Sequence, residues 1–140
     1  MQRGRRIAFD YGDVRIGVAV CDPDGILATP LTTLKATDNK LQSQISQIFA
    51  DNEPIHIYVG KPSLMDGSSG TAAGKAAVFC DLLATLTHVP ILSIDERLST
   101  VSAARNMRDS GVKAKAAKSR IDQAAAVAIL EFALSIEKNR

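Results

Sequence analysis

A chain of 140 residues has room for one ordinary hydrophobic core and not comfortably for two. With 46% hydrophobic and 23% charged residues, no repeat and no low-complexity tract, its composition is globular, and two isolated cysteines exclude a disulfide scaffold and offer no metal-ligand spacing. The 17 basic and 15 acidic residues leave a net charge of +2, which by itself calls for no polyanionic partner.

The basic start, MQRGRR, is followed by no long apolar run and no small-residue cleavage site, so no secretion signal is expected. Residues 7–10 and 14–21 predict two strands around a Gly-containing turn. Residues 26–34 predict a third, interrupted by Pro30, giving an antiparallel beginning. Residues 38–52 place Leu41, Ile45, Ile48 and Phe49 at helical spacing, with Thr37 or Asp38 as the N-cap. IHIYVG, residues 55–60, resembles a buried strand. A Gly/Ser-rich loop then leads into an Ala-rich helix over 71–87, and Pro90 opens another strand, PILSIDE. A helix is expected over 99–109, a basic loop over 111–119 and a last helix over 120–137. The Ala-rich stretch 124–136 contains Glu131 and falls short of a membrane span, so a single cytoplasmic domain over 1–140 is expected. Alternating helices and strands after an antiparallel start predict a mixed α/β sheet. Cys21 and Cys80 are expected as buried free thiols.

Three carboxylates stand out. Asp10 follows Ile7, Ala8 and Phe9 in a strand that otherwise reads as buried, where an acid needs a partner or a metal; an Asx-type turn would also account for it. Glu96 follows the strand 91–95, and ligands of α/β sheets gather at the carboxyl ends of parallel strands. A solvated acid, or a partner for Arg97, are its other readings. Asp95 could serve instead, because neighbouring strand residues point to opposite faces. Asp122 heads the apolar stripe Ala125, Ala126 and Ile129, and Ser119 to Asp122 also has the form of a capping box. Together the three are the hard oxygen ligands that Mg²⁺ or Mn²⁺ takes, suited to two-metal phosphodiester cleavage. His56 and His88 form no metal-ligand pattern, and GTAAGKA fails the P-loop pattern at Ser69 and Ala76.

Charge is unevenly distributed. Residues 97–120 hold seven basic side chains and one acid, Asp109, giving +6 and leaving −4 for the rest. Such a segment is the footprint of a phosphate-rich partner or an ordinary solvated surface. MDGSSG, residues 65–70, offers backbone N–H groups before a helix and reads as a phosphate cradle or as a loop.

FDYGDVRIGVAVCD, VGKPSLMDGSSG, DERLST and IDQAAAVAIL resemble, in order and over nearly the whole chain, the motifs of the YqgF family of RNase H-like nucleases. The resemblance implies a five-stranded mixed sheet flanked by helices, with the first three strands antiparallel. It implies catalytic, metal-binding acids at Asp10, Glu96 and Asp122, with Mg²⁺ or Mn²⁺ as cofactor. Precursor 16S rRNA, processed at its 5′ end, and four-way junction DNA are the implied substrates. Arg15, Arg97, Arg105, Arg108, Lys113, Lys115 and Lys118 are expected to contact nucleic acid, and the protein to be a monomer or homodimer. Lys61 departs from the family, which carries an apolar residue there. Two other classes compete: a D-x-G phosphate loop of the actin-like kinases at Asp10 to Gly12, and a non-catalytic RNA-binding maturation factor.

Overall fold

The computed structural model describes residues 1–61, 72–95 and 115–139. Five strands, β1 (Arg6–Tyr11), β2 (Arg15–Cys21), β3 (Ala28–Lys35), β4 (His56–Lys61) and β5 (Ile91–Asp95), form one sheet in the order β3-β2-β1-β4-β5. Strands β1 to β3 pair antiparallel, while β4 lies parallel to both β1 and β5. This is the mixed sheet expected from the sequence. Helices α1 (Leu41–Asn52), α2 (Ala72–Leu86) and α3 (Lys115–Lys138) cover its faces. Among the described residues no helix is long and apolar enough to cross a membrane.

Alternation along the strands sorts their side chains into two layers. Ile7, Phe9, Ile16, Val18, Ile57 and Val59 pack against Leu41, Ile45 and Phe49 of α1 and Phe79 and Leu83 of α2. Phe9 meets Phe49 and Phe79 edge-on, with ring centroids 6.1 and 5.5 Å away. The opposite face is built from smaller residues, Ala8, Ala19 and Cys21, joined by Tyr58 and Ile94, and receives Ala125, Ala126, Ile129, Leu130 and Ala133 of α3. Small side chains on both surfaces let this helix lie close to the sheet, which decides where its polar residues arrive.

Several boundaries differ from the sequence reading, each for a local reason. The third strand starts at Ala28 rather than Ile26, because the Asp22 carboxylate accepts the N–H groups of Ile26 and Leu27 at 2.8 and 2.7 Å. Gly25 completes that turn in the left-handed region, at φ 67°. Pro30 is tolerated because β3 is an edge strand, and the register shifts beside it, so that Leu31 is the extra residue between Pro30 and Thr32. Helix α1 starts at Leu41; Asp38 does act at this end, its carboxylate accepting the Lys40 N–H at 2.8 Å. The last helix starts at Lys115, inside the stretch expected as a basic loop. Cys21 is buried, whereas Cys80 is only half-buried; burial pushes both thiols above their ordinary pKa. The helix expected over 99–109 lies outside the described residues.

Candidate active site

Asp10 is the penultimate residue of β1, on the same face as Ala8, and 1% exposed. Its cross-strand neighbour in β2 is Gly17. A Cβ at Gly17 would lie 2.0 Å from the backbone oxygen of Asp122 and 2.4 Å from its carbonyl carbon. Gly17 is therefore glycine because α3 occupies the space of a side chain, and Asp10 and Asp122 flank that contact. Asp122 is fully buried. One missing side chain thus lets the backbone of Asp122 lie against the strand that pairs with Asp10, 112 positions earlier in the chain.

Asp122 is not a helix cap. Helix α3 begins at Lys115 and has no acid in its first turn, so Asp122 sits two turns in, past the reach of the helix dipole. Its charge is met instead by Arg15, whose Nε donates to Oδ2 at 2.7 Å, with 23% of the arginine side chain and 1% of the aspartate exposed. Arg15 opens β2, on the face it shares with Gly17. A second tie holds the helix here: Gln123 Nε2 donates to Thr33 Oγ1 at 3.0 Å.

Strands β1, β4 and β5 run parallel, so Asp10, Gly60 and Asp95 end at one rim of the sheet, where α/β proteins gather ligands. Ile94 packs in the layer under α3, so Asp95 faces the other way, away from the side that holds Asp10 and Asp122. Glu96, Arg97, Arg105, Arg108 and Lys113 lie outside the described residues, as does the MDGSSG loop. Lys115 and Lys118 fall in the first turn of α3. Lys61 is exposed at the end of β4, at the same rim. Lys75 of α2 pairs with Asp13 of the β1–β2 turn at 3.2 Å, an exposed contact.

Two buried carboxylates either side of a glycine make an oxygen donor set suited to a hard divalent cation, and Asp10 Oδ2 is shielded from solvent. These residues fit Mg²⁺ or Mn²⁺. Among the described residues no group of three or more His, Cys, Asp or Glu side chains could hold a metal by itself.

Sequence reading missed a second buried cluster at the other end of the same face. Arg6 is fully buried; its Nη2 donates to Glu137 Oε1 at 2.9 Å and to the Gln2 carbonyl at 2.6 Å. Tyr58 Oη donates to Glu137 Oε2 at 2.6 Å, and His56 Nδ1 lies 3.6 Å from Oε1. Burial pushes the Glu137 carboxyl up, but hydrogen bonds from Arg6 and Tyr58, with the charges of Arg6 and His56, outweigh it and hold the pKa below the ordinary range. The only linear signal was an arginine inside an apolar strand pattern, RIAFDY.

The family model described as RuvX, Holliday junction resolvase, matches residues 4–136. A Streptomyces coelicolor protein named "Putative pre-16S rRNA nuclease" is 49% identical over 140 residues, covering 99% of this chain and 84% of its own. A Streptomyces avermitilis protein of the same name is 48% identical, with 99% and 90% covered. Among solved structures, Thermus thermophilus RuvC in complex with a Holliday junction substrate has a TM-score of 0.58 at 15% identity, with 96% of each chain covered. A second Thermus thermophilus RuvC structure gives 0.51 at 14% identity, with 96% of each chain covered. These two structures speak for the fold alone.

Proposed function

The chain belongs to the RuvX family, and on that premise we propose that it is a divalent-metal-dependent nuclease acting in 5′-end processing of precursor 16S rRNA. The observation that carries this reading is the burial of Asp10 and Asp122 on either side of the Gly17 contact, in a chain about half identical to relatives named for that activity. In this reading Asp10 and Asp122, with Glu96 as third ligand, hold Mg²⁺ or Mn²⁺. When bound, the metal supplies charge stabilisation at the phosphate and an activated water.

The protein supplies the rest. β1 is a rigid inner strand, so Asp10 is fixed by its ladder rather than by a loop, and α3 carries Asp122 to it. Burial of both acids on a packed layer keeps their orientation from drifting, the preorganisation that in-line displacement needs. Arg15 and the basic residues of 97–118 bind the nucleic-acid backbone and position the scissile phosphate without reading its sequence. The protein works as one domain in the cytoplasm, where precursor rRNA is found, as a monomer or homodimer.

The test is cleavage of matched precursor-rRNA and four-way-junction substrates in Mg²⁺, Mn²⁺ or EDTA, with the Asp10→Asn variant purified in parallel. Metal-dependent cleavage of the rRNA precursor, absent in the variant, is the expected result. Preferential cutting of the junction would move the substrate to DNA. Tight RNA binding with no cleavage under any metal would make the protein a maturation factor, and ATP hydrolysis would favour the kinase-like reading of Asp10 to Gly12.

A further inference from the structure

Asp122 is buried two turns into a helix, where a polar group needs a partner, and Arg15 provides one through a charge-assisted hydrogen bond of 2.7 Å. The two partners differ in setting. Asp122 is held in a packed helix, whereas Arg15 begins its strand beside the β1–β2 turn and keeps 23% of its side chain in solvent. One partner is buried and the other is partly open to solvent.

The same carboxylate is the one assigned to a divalent cation. A guanidinium on Oδ2 and a divalent cation on that group compete for its lone pairs and repel each other. We infer that Arg15 is a displaceable counter-ion: it orients the Asp122 carboxylate in the metal-free protein and yields it when the cation binds. This rests on Asp122 being a metal ligand. Arg15 is thus a positioning residue whose pairing weakens metal binding in exchange for a preformed site. Arg15 starts β2 beside the end of β1, and a released guanidinium there suits the forked geometry of a phosphate.

Calorimetric titration of Mn²⁺ into metal-free wild type, Arg15→Gln, Arg15→Lys and Asp122→Asn, with melting curves of each in EDTA and in Mn²⁺, tests the inference. Arg15→Gln is expected to bind Mn²⁺ about tenfold more tightly, the low end for a charged hydrogen bond because the arginine is partly solvated. It also melts lower in EDTA, and Mn²⁺ raises its Tm by more than in wild type. A merely structural arginine would lower both melting points together, leaving the increment unchanged. Equal or weaker Mn²⁺ affinity in Arg15→Gln overturns the inference while the metal-dependent reading stands. If Asp122→Asn binds Mn²⁺ as wild type does, Asp122 is no ligand, and the inference falls together with that assignment while Asp10 and Glu96 keep theirs. Should Arg15→Gln not fold, Arg15→Lys decides: it keeps the charge without the fork, and its affinity should lie above that of wild type.

Discussion

Gly17→Ala probes the contact on which the site depends. The added Cβ would lie 2.0 Å from the Asp122 backbone oxygen, where an ordinary carbon–oxygen contact is about 3.4 Å. The helix or the strand must therefore give by roughly 1.4 Å, and neither can do so cheaply, because Ala125, Ala126 and Ile129 are fully buried just beyond. Overpacking of this kind costs about 1 to 3 kcal/mol, or about 3 to 12 °C in Tm for a domain of this size. A 1 Å displacement of a positioned group costs about 100-fold in rate. The expected variant is folded, less stable, and slower by about two orders of magnitude at a temperature well below its midpoint, with nucleic-acid affinity changed far less. Far-ultraviolet circular dichroism melts and single-turnover cleavage on one preparation measure both. A variant that melts within about 1 °C of wild type and cleaves at full rate would refute the close seating of α3 on β2.

On the proposed reading, Asp10→Asn, Glu96→Gln and Asp122→Asn should each abolish metal-dependent cleavage with native circular dichroism spectra, since each would remove a charged oxygen ligand at nearly constant volume; full activity in any one of them removes that acid from the site. Neutralising Arg105, Arg108, Lys113, Lys115 and Lys118 together should weaken nucleic-acid binding and flatten its dependence on log salt by roughly 0.7 to 0.9 for each phosphate that is no longer neutralised; parallel lines in a salt titration would make the segment an ordinary solvated surface. Glu137 makes stability pH-dependent. Its folded pKa is lowered, so the unfolded chain binds more protons between the folded value and the ordinary one, 4.5. The stabilisation is complete above the ordinary value and is lost as pH falls through the folded one. Urea midpoints of wild type should therefore drop over that acid range more steeply than those of Glu137→Gln, and superimposable pH profiles would contradict the role given to the Arg6–Glu137 pair.

Much of the architecture was legible in the linear chain because it rests on short-range regularities. Alternation in IAFD and RIGVAVC, helical spacing in 38–52 and the strand–helix order after residue 55 specify an antiparallel start and a parallel continuation, and the observed sheet has that order. Asp10 was conspicuous for the same reason, as an acid where the pattern demands an apolar residue. What failed were choices decided by contacts distant in sequence. The motif S-x-x-D looked like a cap at Asp122, yet the helix extends back to Lys115 and the carboxylate pairs with Arg15, 107 positions away. Nothing local marks Gly17 as the place where α3 touches β2, or Arg6 as the buried partner of Glu137, 131 positions on. Likewise the choice of face for Asp95 waits on which layer Ile94 joins. Local pattern selects elements because backbone periodicity is a property of a few successive residues. Which polar groups can be buried depends on the partner that arrives to satisfy them, and that partner is supplied only when the helix closes on the sheet.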